Sequence, residues 1–576
     1  MNERKYTDMN EKTKVAGNIK AACPELSDAD IESMLEVPAD RKMGDIALPC
    51  FKLSRVLRKA PPAIAEEICR ALEQNADAAK NYKKIESVNG YLNFFIAESS
   101  LTADLEKMSS DENYGKSSEG EGKTIVLDYS SPNIAKPLHI GHLRSTVIGQ
   151  SIKNIYKFCG YNCVGVNHLG DWGTQFGKLI VAYKKWSSKE EIESRGIDAL
   201  TEIYVKFHEE AEKDPSLNDE ARAAFTKMEQ HDKEYLDLWK WFVHISITES
   251  KKTYELIGAD FESWNGESFY FDKTDRVIAE LREKNLLSAD DGAEIVRLDE
   301  YNMPPCLILK SDGSTIYATR DIAAAIYRKE TYDFDKCIYV TSAGQSLHFA
   351  QLFKVIGLMG YDWAKDLVHV PFGTVSIEGA KLATRTGNVV LLEDIFRVAT
   401  QKTLEIINEK NPGLENKEQV ASAVGVGAVI FHDLSNNRIK DVNFVWDEVL
   451  NFDGNTGPYV QYTYARCSGI IDKANAAGIY GTGEFKFTDE SETALVKTLK
   501  NFPDKVQQAK NDLEPSVIAR YLLDVCADFN RFYHDCPVLK AEDDAVKNTR
   551  VALVKASANV LNNGLALIGL KRPKNI

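Results

Sequence analysis

The sequence predicts an α/β chain built around a doubly wound, mainly parallel sheet, on three observations. From residue 123 onward, short apolar strand-like runs alternate with longer amphipathic runs of helical period, the pattern of a sheet covered by helices. A charged, aromatic-rich and largely helical stretch at 187–285 interrupts the alternation, as an insertion between two halves of a nucleotide-binding fold would. After Asn411-Pro412-Gly413 strand signals become scarce, and helix-period apolar positions run through 417–475 and 492–567.

Taken in order, residues 1–116 mix helical runs with a β-like end, Gly90-Tyr91-Leu92-Asn93-Phe94-Phe95-Ile96. Ser117-Ser118-Glu119-Gly120-Glu121-Gly122 is small, polar and glycine-bearing, and reads as a linker. Candidate strands follow at 124–129, 162–167, 306–310, 315–319, 336–341 and 368–375, with an amphipathic helix from Leu143 to Tyr156 after the first. The runs 307–310 and 315–319, joined through Ser311-Asp312-Gly313-Ser314, read as a hairpin. A chain of 576 residues is too long for one core. The expected domains are 1–116 (mixed α/β), 117–410 (the sheet with its insertion) and 411–576 (all helical).

Composition narrows the function. With 44% hydrophobic and 27% charged residues the chain is that of an ordinary folded protein, and no apolar run is long enough to span a membrane. The first residues lead into no apolar signal core, so a cytoplasmic protein is expected. Ten cysteines lack a repeating spacing. Cys159, Cys163 and His168 lie close in sequence but no second pair completes a zinc signature, so reduced thiols and no protein-held metal are expected. A net charge of −15 argues against a protein that coats nucleic acid indiscriminately, though not against an RNA enzyme with local basic surfaces.

The densest chemistry is Leu138-His139-Ile140-Gly141-His142-Leu143, placed between a strand and the helix that follows. Free backbone N–H groups and the positive end of the helix dipole favour anions there. Gly141 leaves room for a large phosphorylated group, and His139 and His142 can donate to phosphate oxygens, which suggests a nucleoside triphosphate. Just upstream, Asp128-Tyr129-Ser130-Ser131-Pro132-Asn133-Ile134-Ala135-Lys136 occupies a strand's C-terminal end, where open α/β sheets bind ligands. Lys136 could reach a phosphate, and Asp128 and Asn133 could hold a cationic or amide group. Strand alternation would put Tyr317, Thr319 and Asp321 on one face, a hydroxyl beside a carboxylate that suits a cation; an edge-strand polar face is the bland alternative. Gln345 and His348 begin a helix after another strand at the same sheet edge. The glycine-bounded loop at 379–388 offers Lys381 and Arg385, and without the histidine motif it would read as a charged surface turn.

Together these segments resemble the class I aminoacyl-tRNA synthetases, and among them the arginyl members. His139-Ile140-Gly141-His142 is similar to the first class I signature, and Ser130 to Pro137, Asn167 to Gly177, and Phe452 to Tyr462 with Ala465-Arg466 are similar to arginyl members in the same order. Lys381 to Arg385 resembles the second, mobile lysine-rich signature but departs from it, with Ala383 and Thr384 in place of its serine and second lysine. Lys136 is the position resembling the substitute that arginyl members use.

The resemblance implies a Rossmann-type doubly wound catalytic domain with helical insertion, an α/β N-terminal domain that binds the D-loop side of tRNA(Arg), and an all-α anticodon-binding C-terminal domain. It implies ATP and L-arginine as substrates, Mg2+ with the ATP, and a monomer. His139, His142, Lys136 and Lys381 would be catalytic; with Gly141, His348 and Arg385 they would bind ATP. Asp128, Ser131, Asn133, His142, Tyr317, Asp321 and Gln345 would bind arginine, with carboxylates matching the planar guanidinium fork. Three rivals remain: a class I synthetase for another amino acid, against which the acidic cradle argues only for glutamate; a non-catalytic RNA-binding paralogue; and a small nucleotidylyltransferase, which would not need the C-terminal helices.

Overall fold

The computed structural model describes residues 11–38, 41–75, 81–134, 136–377, 380–381, 390–451 and 454–576, apart from the side chains of 11, 41, 377, 380 and 381. The chain falls into two compact units. One holds the residues up to 114 with 470–504 and 527–560; the other holds 115–469 with 505–526 and 561–576.

The larger unit is organised by a four-stranded parallel sheet: β1 (Thr124–Asp128), β2 (Asn162–Val166), β3 (Lys336–Ser342) and β4 (Leu367–Phe372), in the order β4-β3-β1-β2. Parallel pairing requires crossovers, and helices supply them. They are α1 (Ile140–Phe158) after β1, α2 (Thr174–Trp186) after β2, α3 (Tyr317–Tyr332) before β3 and α4 (Ser346–Leu358) between β3 and β4. β1 has β2 on one side and β3 on the other, so the strand order reverses there. The crevice above the carboxyl ends at such a point is where open α/β sheets take ligands. On one face, Val126, Val166 and Tyr339 from the strands pack with Ile322, Ile326, Leu352 and Ile356 from α3 and α4. α1 is buried along nearly its whole length.

α2 begins at Gly173, whose φ of +141° and ψ of 174° suit only glycine. The helix then packs Phe176, Leu179 and Ile180 against Ile203, Phe207 and Phe242 of the insertion. The insertion's longest helix, Lys233–Ile257, is capped by Asp232 at its start and by the left-handed Gly258 at its end. In the smaller unit, strands Ile46–Pro49, Tyr91–Ile96 and Tyr82–Val88 form an antiparallel sheet in that order; Val15, Ile19, Ile64, Ile68, Leu92 and Phe94 form its core with the neighbouring helices.

Two expectations are corrected. The run 315–319 is not a strand: α3 starts at Tyr317, and only a single bridge, Leu309 to Thr315, survives of the expected hairpin. Thr319 donates to the Ile308 carbonyl at 2.5 Å, so its hydroxyl anchors the new helix instead of extending a ladder. Strand Cys306–Leu309 belongs to a separate antiparallel sheet with Ala293–Val296 and Leu287–Asp290. C-terminal to 411 the described elements are helices except Val442–Phe444, which pairs in parallel with Val375–Ile377.

Candidate active site

Two groups of side chains stand at the carboxyl edge of the parallel sheet. The first is the start of α1. His139 is the N-cap, and its Nδ1 accepts from the Gly141 backbone N–H at 3.1 Å. The His142 Nδ1 accepts from the His139 backbone N–H, also at 3.1 Å, which completes a reciprocal cap. These bonds fix the tautomers: with Nδ1 accepting in both rings, each neutral imidazole carries its proton on Nε2. The rings lie 3.9 Å apart, centroid to centroid. Burial, then the nearby Lys136, pushes the His139 pKa down; burial and His139 push His142 down to about 3. The pair therefore presents two neutral N–H donors. A Cβ at Gly141 would sit 2.9 Å from His139 Cε1, so glycine keeps the imidazole in place.

The loop bearing Lys381 and Arg385 is tied to this cap. At its far end Ile140 N donates to the Val390 carbonyl and Leu392 N to the Leu138 carbonyl. At its near end Ala380–Lys381 pairs with Ser376 and Ile377. The base of that hairpin is held from α1 by buried Arg144, which bonds Asp433 at 3.1 Å and the Lys440 carbonyl at 2.8 Å. The Lys381 side chain and all of Arg385 lie outside the described residues.

The second group is acidic. Asp128, at the end of β1, is paired with the buried guanidinium of Arg328 at 2.8 Å and accepts from Ser131 Oγ at 2.7 Å. Burial opposes the charge on Arg328, but Asp128, with Tyr339, Tyr270 and Cys337 after it, outweighs burial and holds the pKa above the ordinary value. Asp321, on the first turn of α3, has His348 Nε2 at 2.8 Å and His168 Nε2 at 3.8 Å. Burial works against its ionisation, but the His348 hydrogen bond, both imidazoles and the more distant Arg328 together outweigh it and hold its pKa below the ordinary value. Among the described residues no lysine or arginine pairs with Asp321. Tyr317 stands one turn earlier, 66% exposed, with the Arg320 guanidinium 5.0 Å from its ring centre. Behind them Glu267 is buried 3.3 Å from Arg320, and burial raises its pKa to about 7; Arg320 opposes that rise, while Asp321 and Asp171 add to it.

Known proteins match this architecture along its length. The model for the arginyl tRNA synthetase N terminal domain matches residues 12–96, that for the class I (R) tRNA synthetase catalytic domain residues 104–446, and that for the DALR anticodon binding domain residues 460–576. Two curated relatives, the arginine–tRNA ligases of Alkaliphilus metalliredigens and Clostridium beijerinckii, are each 52% identical across 98% of this chain and 99% of their own. The chain belongs to the arginyl-tRNA synthetases. It is similar to the solved arginyl-tRNA synthetase of Plasmodium falciparum, with a TM-score of 0.80 at 26% identity and 98% of each chain covered. It shares the fold of the Thermus thermophilus arginyl-tRNA synthetase, with a TM-score of 0.80 at 24% identity, covering 98% of this chain and 100% of that one. The protein is thus an aminoacyl-tRNA synthetase, a ligase.

In this synthetase the sequence-predicted residues divide by partner. Tyr317 and Asp321 do share a face, but as positions i and i+4 of a helix, not as alternate residues of a strand. Asp128 was expected to assist at a bound guanidinium; its carboxylate is instead occupied by Arg328 and Ser131. Ser131 is likewise engaged, donating to Asp128 and accepting from the His168 backbone N–H at 3.1 Å. His348, expected on the nucleotide, directs its Nε2 to Asp321. Asn133 lies across Gly170, and Gln345 ends the short turn before α4; both are exposed, as is Lys136, whose Nζ sits 4.9 Å from the centre of the Tyr204 ring. Asp171 caps the segment after Gly266 through Ser268, so it is structural. Sequence reading missed Arg328, Glu267 and the role of His168. Arg328, seven residues after Asp321 on one helix, was within reach of helical periodicity once 317–332 is read as a helix.

Proposed function

We propose that the protein charges tRNA(Arg) by joining arginine to ATP at this sheet edge and passing the arginyl group to the 3′-terminal adenosine. The arginine carboxylate oxygen attacks the α-phosphorus, forming the acyl phosphate bond, and the bond to pyrophosphate breaks. The tRNA ribose hydroxyl then attacks the arginyl carbonyl, and AMP leaves. No side-chain nucleophile is needed, and positioning with charge stabilisation carries the rate. His139, Gly141 and His142 at the helix N-terminus receive the α-phosphate. Lys136, Lys381 and Arg385 would offset the charge that grows on pyrophosphate. Mg2+ would accompany the triphosphate, and no step is assigned to it.

The observation that carries the reading is Asp321, held ionised and, among the described residues, in no ion pair with a lysine or arginine, one helical turn from the exposed Tyr317. A substrate guanidinium supplies that cation and fits a carboxylate with two parallel N–H donors. Tyr317 and Asp321 take the guanidinium, and His348 orients Asp321. Asn133, Gln345 and His142 meet the α-amino and carboxylate groups. Asp128, neutralised by Arg328, contributes by fixing Ser131. The cytoplasm is where the substrates meet, and ten free cysteines fit its reducing conditions. The N-terminal segment would take the D-loop side of the tRNA, and the C-terminal helices its anticodon. No helix among the described residues is long and apolar enough to cross a membrane.

The test is arginine-dependent ATP–pyrophosphate exchange, with and without tRNA, on wild type and Asp321→Ala. Exchange that needs arginine and tRNA is expected. The variant should raise the arginine KM by about two orders of magnitude or more and the ATP KM far less, as loss of a charged hydrogen-bond partner does. An arginine KM and kcat both unchanged by Asp321→Ala would remove this assignment.

A further inference from the structure

We propose that Tyr254, on the insertion helix Lys233–Ile257, is a positioning residue for the amino-acid end of the site, acting through the Ser130–Ser131 corner; this rests on the arginine-binding reading above. The corner is unusual. Ser130 and Ser131 are consecutive non-glycine residues with φ of 69° and 46°, a left-handed pair that persists only where the surroundings hold it. It directs Ser131 Oγ to Asp128 and under the His168 backbone N–H.

Three hydroxyls and an amide run beneath it. The Tyr254 hydroxyl lies 2.7 Å from Ser130 Oγ and accepts from Asn167 Nδ2 at 3.1 Å. The Asn167 Oδ1 accepts from Ser131 N at 3.1 Å, so both corner residues are held from the tyrosine's side. Thr146 Oγ1 is 2.8 Å from Ser130 Oγ and 2.7 Å from the His142 carbonyl. Each hydroxyl has one proton. The order in which every proton finds an acceptor runs from Asn167 to Tyr254, Ser130, Thr146 and the His142 carbonyl. Tyr254 and Asn167 are both buried, so water does not replace a missing member.

The chemistry separates this role from packing. The Tyr254 ring rests on Phe261, at 5.0 Å between centroids, and on Trp264, at 5.9 Å. Phenylalanine keeps those contacts, and only the hydroxyl reaches the corner. Through it the insertion helix sets where Ser131, Asp128 and the backbone toward Asn133 stand. A shift of that helix therefore alters arginine binding before it alters the nucleotide end.

The test is Tyr254→Phe in the full-length protein, with pyrophosphate exchange at saturating tRNA. The arginine KM should rise about five- to tenfold, the effect of one buried hydrogen bond, with ATP KM and kcat within twofold of wild type. Ser130→Ala, which removes this bond together with the one to Thr146, should raise the arginine KM at least as much and again more than the ATP KM. Unchanged KM values, an equal rise in both, or a fall in kcat alone would overturn the proposal, whatever happens to the melting temperature. Asp321→Ala, run alongside, separates the two readings. If it raises the arginine KM and Tyr254→Phe does not, the positioning role fails alone; if neither does, the arginine-binding reading falls with it.

Discussion

At the N-terminus of α1 the sheet edge carries neutral groups that donate; at the N-terminus of α3 it carries a carboxylate kept charged. Both sites are partly buried, and burial acts against charge in each. At His142 burial prevails and the neighbouring His139 adds to it; the Nδ1 lone pair takes a backbone N–H, a bond that a ring protonated there would lose. At Asp321 two imidazoles oppose it and prevail. The difference follows from the partner each end serves. A phosphate arrives with its own negative charge and needs aligned donors, which must not carry a counterion or a strong hydration shell. A fixed cation needs an ionised acceptor of the right shape. One fold edge supplies both because the N-termini of α1 and α3 end there: one offers its backbone N–H groups, and the other presents a side chain one turn in.

Breaking the acidic end from beneath should give the largest effect. Arg328→Met leaves Asp128 buried without its guanidinium, a loss of roughly 3–5 kcal/mol of folding stability for a severed buried pair. Chemical denaturation checks this, and Asp128→Asn in the same chain should restore part of it. Full stability in the single variant would mean that the pair does not hold this corner. The neutral end should respond in rate and not in stability. His142→Ala is expected to lower the single-turnover rate of arginine activation by about two orders of magnitude, the loss typical of a transition-state donor, while arginine affinity falls far less than in Asp321→Ala. If His142→Ala and Asp321→Ala shifted the same parameter, the division between the two ends would be lost.

The neutral end was legible in sequence and the acidic end only partly, for a physical reason. A histidine pair between a strand and a helix is a local motif, and caps, dipole and glycine all act within four residues. Asp321 meets His168 and His348 across long sequence separations, and no periodicity reports such a meeting. Thr315 to Thr319 shows how local pattern misleads. Its β-branched and aromatic residues read as a strand, yet the Thr319 hydroxyl bonds the Ile308 carbonyl and the chain turns into α3. Tyr317 and Asp321 remain on one face because spacings of four suit a helix as well as a strand. Arg328 and Glu267 were invisible for another reason: each is a buried charge whose meaning depends on its partner. The C-terminal helices were readable from their period alone, and Val442–Phe444 was missed because three residues are too few to show one.

A smaller effect sharpens the neutral end. Gly141→Ala places a Cβ 2.9 Å from His139 Cε1, so the ring must move. Overpacking of this kind corresponds to about one order of magnitude in ATP KM. The arginine KM should stay near wild type, since the acidic cluster is not touched. An arginine effect as large as the ATP effect would show that the ends are coupled through the cap.

The smallest effect on activity is also the clearest in sign. The His142 pKa lies near 3 in the native protein and near 6.5, the ordinary value, when unfolded. Between those values the unfolded chain binds a proton that the native imidazole refuses, so the His142 contribution to native stability falls as pH drops from about 6.5 toward 3 and is level above. Asp321 acts in the same direction, but its folded pKa is depressed, so its contribution holds above the ordinary aspartate value of 3.8 and fades only as pH falls below it. Denaturation midpoints at steps from pH 4 to 7 should therefore show a slope that His142→Gln flattens and Asp321→Asn leaves intact. Over pH 6–8 the single-turnover activation rate should show no ionisation of His142, because the donor is the neutral ring throughout. A rate that rises with protonation in that range, and loses that rise in His142→Gln, would mean that the imidazolium is the working form, and the contrast between neutral donors and charged acceptors would not describe this site.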